Sequence, residues 1–191
     1  NPAAVGSTAK ISVHNGGEVY FPATFAGATV STPIELNGVG VNGGALHADV
    51  EGSQITFTGP IALSGDSRIF AYAENSTLNF SGIVSDKPNT GSHSITFMAQ
   101  FLKPECGNQI VLSAANTYGG NTYIDNHAVN IEVKLSGGND RLPPTTELYM
   151  SSGAWNAAAI SVLDLNGNHQ TLAGLADGSA TAGARRVVNT S

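Results

Sequence analysis

The run Ile55-Thr-Phe-Thr-Gly-Pro-Ile-Ala-Leu63 contains the pattern that decides the fold. Apolar residues alternate with polar or small ones over Ile55-Thr-Phe57 and again over Ile61-Ala-Leu63, as in strands with one buried face. Only Thr58-Gly-Pro60 separates the two runs. Glycine permits a tight corner. Proline has no backbone N–H to donate to a neighbouring strand, and the first residue of a strand is a position where this loss is tolerated. The stretch therefore predicts two short strands joined by a sharp corner.

Similar runs recur along the chain: Ile11–Val13, Val19–Phe21, Ile34–Leu36, Leu78–Phe80, Ile95–Phe97, Ile110–Leu112, Ile131–Val133, Leu148–Met150, Val162–Leu165 and Arg186–Val188. Between them lie turn-forming triplets and quartets: Asn15–Gly17, Asn42–Gly44, Ser64–Asp66, Gly119–Asn121, Ser136–Asn139 and Asn166–Asn168. Their glycines tolerate positive φ. Short strands joined by such corners are typical of a parallel β-helix, in which each coil hydrogen-bonds to the next. We therefore predict an all-β fold, a single-stranded right-handed parallel β-helix.

An immunoglobulin-like sandwich or a jelly roll is the alternative all-β fold. Strands in those folds usually run about five residues or more. The runs here are shorter, and Asn and Thr can stack in ladders from coil to coil, so the β-helix is favoured. A coil of about 20 residues would give about nine coils and, at ~4.8 Å per coil, a rod of about 40 Å.

The composition limits the classes of partner. The chain has 191 residues, of which 41% are hydrophobic, enough for a core, and only 12% are charged. Lys and Arg number 8 against 14 Asp and Glu, so the net charge is −6. Nucleic acid and anionic membrane surfaces attract basic patches, so we expect neither as a partner. No apolar run approaches the ~20 residues of a membrane helix, so we expect no membrane insertion.

Three stretches carry a resemblance to a known family: Pro33-Ile-Glu-Leu-Asn-Gly-Val-Gly-Val-Asn-Gly-Gly-Ala-Leu46, Val111-Leu-Ser-Ala-Ala-Asn-Thr-Tyr-Gly-Gly-Asn-Thr-Tyr-Ile124, and Asp140-Arg-Leu-Pro143 leading to Leu163-Asp-Leu-Asn-Gly-Asn-His-Gln-Thr-Leu-Ala-Gly-Leu175. Together they resemble the autotransporter-associated β-strand repeats of bacterial passenger domains, over about residues 28–178. The resemblance implies a β-helix that forms part of a large surface protein. We accordingly expect residues 1–191 to form one β-helical segment of a larger protein.

Two stretches depart from the family pattern. Residues 86–107, with Lys87-Pro88 and Lys103-Pro-Glu-Cys106, are longer than expected of a linker, so we predict a protruding loop there. Residues 151–161, around Trp155, suggest a second inserted loop before the strand at Leu163.

Chemistry-bearing residues do not group in the sequence. The five histidines lack metal-ligand spacing, and a lone cysteine forms neither an internal disulfide nor a Cys-based zinc site. Carboxylate pairs such as Asp140 with Glu147, or Glu35 with Asp49, are the candidates for glycosidase-like chemistry. Lys and Arg, which would assist a polysaccharide-active β-helix enzyme, are few and scattered. We therefore predict no enzyme activity, no catalytic residue, no metal site and no cofactor.

Aromatic residues offer the best candidates for ligand binding. Trp155 with Tyr149, or Tyr118 with Tyr123, would suit stacking against a sugar ring, because amphipathic aromatics combine an apolar face with a polar tip. The competing interpretation places the tyrosines at corners. For Phe57, Phe80 and Phe97 we predict positions in the core.

The resemblance implies a non-catalytic structural or adhesive role, as a passenger, stalk or fibre subunit outside the cell or on the bacterial surface. The expected partners are flanking β-helix coils or copies of this chain end to end, with a glycan or host surface as a further contact. A carbohydrate-binding module and a polysaccharide-active β-helix enzyme remain the alternatives.

Overall fold

Parallel strands coil into a β-solenoid of about 6 turns. Strands take 48% of the residues and helices 2%, so the predicted all-β parallel β-helix is confirmed. The structure is a computed structural model and describes residues 10–100, 107–127, 129–152, 159–178 and 184–190. No helix within these ranges is long and apolar enough to cross a membrane.

The strands belong to two sheets. Among the described residues, the first sheet contains ten strands: β1 (Ile11–Ser12), β2 (Val19–Phe21), β4 (Ile34–Gly38), β5 (Leu46–Ala48), β7 (Ile61–Ala71), β9 (Val84–Asp86), β10 (Ile95–Ala99), β12 (Thr122–Asn126), β14 (Glu147–Ser152) and β16 (Gly174–Asp177). The second sheet contains seven strands within the described ranges: β3 (Thr29–Val30), β6 (Gln54–Phe57), β8 (Thr77–Phe80), β11 (Gly107–Leu112), β13 (Asn130–Leu135), β15 (Ile160–Asp164) and β17 (Ala184–Val188). A 3₁₀ helix, Ala23–Phe25, lies between β2 and β3.

The length of a turn follows from the parallel register. Ile34 pairs with Ile61, 27 residues later, and Leu78 pairs with Ile110, 32 residues later. Turns are therefore longer than the predicted length, because the corners contain segments that hydrophobic alternation does not reveal. The prediction of nine coils is wrong, and about 6 turns give a rod of about 30 Å at ~4.8 Å per turn.

The core runs along the solenoid axis as columns of side chains from successive turns. Phe57 pairs in register with Phe80, and their rings stack with centroids 4.8 Å apart and 9° between planes. Phe57 and Phe80 are each 1% exposed and Phe97 is fully buried, so their predicted core positions are confirmed. An aliphatic column lies in register on the inner side of the second sheet: Ile55, Leu78, Ile110, Val133 and Leu163.

Most of the predicted glycine turns are confirmed by positive φ. Gly16, Gly43, Gly137 and Gly167 have φ of 82°, 111°, 75° and 79°. The prediction of a turn at Ser64–Asp66 is wrong, because these residues lie within the continuous strand β7.

Gly119 and Gly120 are required for space rather than for positive φ. A Cβ on Gly120 would lie 2.4 Å from the backbone carbon of His93, and one on Gly119 would lie 2.6 Å from Oγ of Ser92. The preceding turn of the solenoid fills the room that a side chain would need. These two glycines lie at a corner, as predicted. The reason is the close approach of the preceding turn and not the positive φ that the sequence suggested.

The protruding loop predicted over residues 86–107 is wrong as a single loop. Asp86 ends β9, and β10 crosses the first sheet inside this range with Phe97 in the core. Between the two strands the chain turns back on Asp86, whose Oδ1 accepts a hydrogen bond from the His93 amide at 3.0 Å. Residues 101–106 lie outside the described residues. Of the second predicted loop, residues 151–152 belong to β14 and 160–161 to β15, and 153–158 also lie outside them.

Asn116 connects three successive turns through one buried side chain. Its Oδ1 accepts a hydrogen bond from the Val84 amide at 2.8 Å, and its Nδ2 donates to the Arg141 carbonyl at 2.8 Å. Asn116 is 5% exposed and Val84 is fully buried, so the Val84 amide has no ready access to water. Asn116 thus satisfies backbone groups of the preceding and the following turn.

Asn116→Ala is expected to lower the free energy of unfolding by about 1–3 kcal/mol, because it leaves the buried Val84 amide unpaired, while the Arg141 carbonyl keeps a hydrogen bond from the Asn116 backbone amide at 3.2 Å. Urea unfolding monitored by circular dichroism measures the loss. The matched control is Asn79→Ala, since Asn79 donates to Gln54 Oε1 at 3.1 Å in an exposed position. We expect the control to change stability by at most about 0.5 kcal/mol. Equal losses in the two variants would contradict the bridging role.

Candidate functional site

The candidate ligand-binding tyrosines separate into one buried residue and one surface pair. Tyr118 is 1% exposed, and its hydroxyl lies 2.6 Å from Oγ1 of Thr122. Burial raises the pKa of Tyr118 above its ordinary value. A ring enclosed in this way cannot stack on a sugar, so the prediction of Tyr118 as a ligand-binding residue is wrong.

Tyr123 and Tyr149 come together on the outer side of the first sheet. The residues are in register on β12 and β14, and their rings stack with centroids 5.0 Å apart and 18° between planes. The Tyr149 hydroxyl donates to Oε2 of Glu147 at 2.7 Å, and this hydrogen bond raises the pKa of Tyr149. Both side chains are half-buried. Trp155, the partner predicted for Tyr149, lies outside the described residues.

The aromatic surface does not continue along the sheet. In the same register, Thr96 precedes Tyr123 on β10 and Ala176 follows Tyr149 on β16. Two rings in neighbouring turns therefore form the whole aromatic row at these positions. Such a pair offers an area for one sugar ring rather than an extended platform.

The candidate carboxylates each lie in a separate structural contact. Glu35 accepts hydrogen bonds from Nζ of Lys10 at 2.7 Å and of Lys87 at 2.8 Å, and these bonds lower its pKa to about 2. Asp49 accepts a hydrogen bond from the Tyr20 hydroxyl at 3.0 Å. Since each carboxylate has its own partners, these contacts explain the two residues without a shared reaction site.

The second candidate pair is likewise accounted for by local contacts. Asp140 accepts a hydrogen bond from the Thr171 amide at 2.7 Å, which lowers the pKa of its carboxyl, and Glu147 holds the Tyr149 hydroxyl. Within the described ranges, no three His, Cys, Asp or Glu side chains group closely enough to hold a metal ion.

The lysine contacts of Glu35 are expected to make stability depend on acid pH. The pKa of Glu35 falls from 4.5 to about 2 on folding, so its contribution is fully present above pH 4.5. It is lost as pH falls from about 4.5 to about 2, and we expect it to amount to about 1–2 kcal/mol, because water screens the two half-exposed lysines. Urea unfolding across this range measures the effect. Glu35→Gln should remove this part of the pH dependence, and an unchanged profile would contradict the assignment.

The most distinctive surface is the end of the solenoid at β16 and β17, which we call the open end. Leu175 lies in register with Leu148, and Val187 with Leu163, so both belong to columns that are fully buried in the preceding turns. At this end Leu175 is 60% exposed and Val187 is 45% exposed. Core positions are therefore exposed at the last turn that the structure describes.

A hollow of about 380 Å³ lies at the open end. Its lining residues are Met150, Leu175, Ala176, Asp177, Arg185 and Val187. Arg185 pairs with Asp177 at 2.9 Å and donates through Nε to the Met150 carbonyl at 3.1 Å. The hollow thus combines an apolar floor with a charged rim.

The two ends of the solenoid differ. At the opposite end, Val13, Phe21 and Val30 on or beside the first strands are 5%, 3% and 7% exposed. Among the described residues, β16 pairs with β14 alone and β17 with β15 alone, so each retains an unpaired backbone edge. Exposed core side chains and unpaired edges coincide at the open end.

The two stacked parallel sheets define a β-solenoid protein. Comparisons with protein-family models, with curated proteins and with solved structures find no match for this chain.

Proposed function

We propose that this chain is a non-catalytic structural or adhesive β-helix segment of a secreted or surface-displayed bacterial protein, in which it serves as a passenger, stalk or fibre subunit. The observation that supports the proposal is the open end. The resemblance to autotransporter-associated repeats is consistent with the same role.

A further β-coil would complete the open end. It would remove Leu175 and Val187 from water, and burial of each side chain would stabilise the assembly by up to about 1.5–3 kcal/mol. It would also pair the exposed edges of β16 and β17, which otherwise act as templates for another chain. Stacked turns make stability cumulative along the axis, which suits a stiff shaft.

The purified chain tests this proposal directly. The coil available to cover the open end then belongs to a second copy, so we expect the apparent mass to rise with protein concentration in analytical ultracentrifugation. The double variant Leu175→Lys, Val187→Lys should remain monomeric, because two ammonium groups cannot be buried against the apolar hollow. The control Val41→Lys changes a side chain that is 73% exposed elsewhere and should associate like the unmodified chain. A chain that stays monomeric at every concentration would contradict the role as a fibre subunit whose copies stack end to end.

The stacked tyrosines favour one alternative, a carbohydrate-binding module. In that case Tyr149→Ala should abolish saturable glycan binding, because half of the stacking surface would be lost. The same variant should leave association through the open end unchanged. A glycan array with the purified chain distinguishes the two functions.

A further inference from the structure

A second surface of interest is a groove of about 310 Å³ on the second sheet. It crosses the outer side of four consecutive strands, β11, β13, β15 and β17. Gln109, Glu132, Val162 and Arg186 lie in register across these strands and form one of its rows. Three strand spacings of ~4.8 Å give this row a length of about 14 Å.

The polar groups of the groove provide both donors and acceptors. The Gln109 amide donates through Nε2 to Oε1 of Glu132 at 3.0 Å, which orients the carboxylate and leaves the Gln109 Oε1 as an acceptor. Arg186 is exposed at the other end of the row and makes no ion pair with any residue that the structure describes. The charges of Glu132 and Arg186 cancel, so the groove favours neither an anion nor a cation.

The groove also has an apolar floor. The side chains of Ile160 and Val162 line it while remaining partly exposed. Binding sites for small molecules commonly combine apolar surface with a few polar groups, in cavities of about 300–1,000 Å³. A sugar ring presents the complementary chemistry, with an apolar C–H face and hydroxyl groups that both donate and accept.

From this combination we infer that the groove binds a short neutral oligosaccharide. Glu132 accepts sugar hydroxyls, Arg186 donates to sugar oxygens, and Ile160 with Val162 contacts the C–H face. The inference rests on the proposed function in one respect, namely that sugar binding would be the adhesive contact of this segment. The open end shares β17 with the groove, but it involves Val187 rather than the outward-facing Arg186 and is tested by different variants, so either proposal can fail alone.

An extended peptide fits this groove less well. A peptide that binds along a sheet gains affinity by pairing its backbone with an unpaired strand edge. Here β11, β13 and β15 are each paired on both sides, so three of the four strands have no free edge. A ligand must therefore be recognised through outward-facing side chains, as a hydroxyl-rich molecule can be.

Gly107 keeps one end of the groove open. A Cβ at this position would meet no atom within 4 Å, and the residue does not have a positive φ. A larger side chain is therefore compatible with the backbone and would extend into the groove. This position allows the groove to be filled with little expected effect on the fold.

The test is a glycan array with neutral and uronic-acid oligosaccharides, followed by calorimetry with the neutral ligands retained. We expect saturable binding to the unmodified chain, weakened about tenfold or more by Gly107→Leu and by Arg186→Ala. The control Gln54→Ala lies in the same outward register on β6, two turns away, and should bind normally. Circular dichroism and the unfolding midpoint establish that each variant is folded.

Three outcomes would overturn the inference. The first is that no oligosaccharide is retained, and the second is that only uronic-acid ligands bind. In the third, neutral glycans bind equally well to Gly107→Leu and are lost with Tyr149→Ala, which would assign recognition to the tyrosine pair. Binding of neutral glycans that is lost in the Gly107→Leu variant would support the inference.

Discussion

Phe80→Ala is expected to lower the free energy of unfolding by about 3–5 kcal/mol, the range for removing a buried aromatic side chain. Phe80 is 1% exposed and stacks on Phe57 of the preceding turn. The neighbouring turns are fixed by their hydrogen-bonded ladders, so the resulting cavity can collapse only partly. Urea unfolding of the purified chain measures the loss.

The control for this prediction is Val41→Ala, at a position that is 73% exposed. It should shift stability by at most about 0.5 kcal/mol. A double-mutant cycle with Phe57→Ala isolates the ring contact, for which we expect a coupling of about 0.5–1.5 kcal/mol. A loss for Phe80→Ala as small as that of the control would contradict the assignment of the stacked phenylalanines to the core.

Gly82→Ala is expected to destabilise the fold by about 3 kcal/mol or more, at the upper end of the costs of overpacking. A Cβ on Gly82 would lie 2.0 Å from the carbonyl oxygen of Gly59, at the corresponding corner of the preceding turn. That oxygen belongs to the backbone and cannot rotate away as a side chain could. The corner must therefore open, which disturbs the pairing of both adjoining strands.

Gly107→Ala is the matched control for Gly82→Ala. The substitution is the same and neither residue has a positive φ, but a Cβ on Gly107 meets open space. We expect the control to be neutral within about 0.5 kcal/mol. Thermal and urea unfolding of the two variants separate the effect of close approach from the general entropic effect of replacing glycine. Similar stabilities would contradict the close stacking of the corners.

Hydrophobic alternation predicted the strands well because the side-chain period of a strand is directly visible in the sequence. Ile55-Thr-Phe57 and Ile131-Glu-Val133 both lie within strands of the second sheet. Thr122–Asn126 was missed, because its buried positions include Thr122 and Asn126, which are polar and break the apolar pattern. The number of turns was overestimated, since it depends on which strands pair across the corners, and local patterns do not specify that pairing.

The candidate sites were harder to predict for the same reason. Tyr118 and Tyr123 are five residues apart in a motif rich in turn formers, and nothing local indicates that one ring is enclosed and the other is not. The pairing of Tyr123 with Tyr149 depends on the register between β12 and β14. Val187 lies in a predicted strand, Arg186–Val188, whereas the strand that contains Leu175 was missed. The exposure of both side chains at the open end depends on the stacking of the turns, which the sequence does not display. The groove near Gly107 arises from the alignment of four strands, which the sequence does not display.

Electron cryomicroscopy of the purified chain tests the central claim most directly, namely that the open end is completed by a further coil. We expect rods longer than the ~30 Å of one chain, with a continuous strand spacing of ~4.8 Å through each junction. The Leu175→Lys, Val187→Lys variant should give single short particles. If the unmodified chain also gives only single particles under conditions where its fold is intact, the open end does not stack on a second copy and the proposed role as a fibre subunit is contradicted.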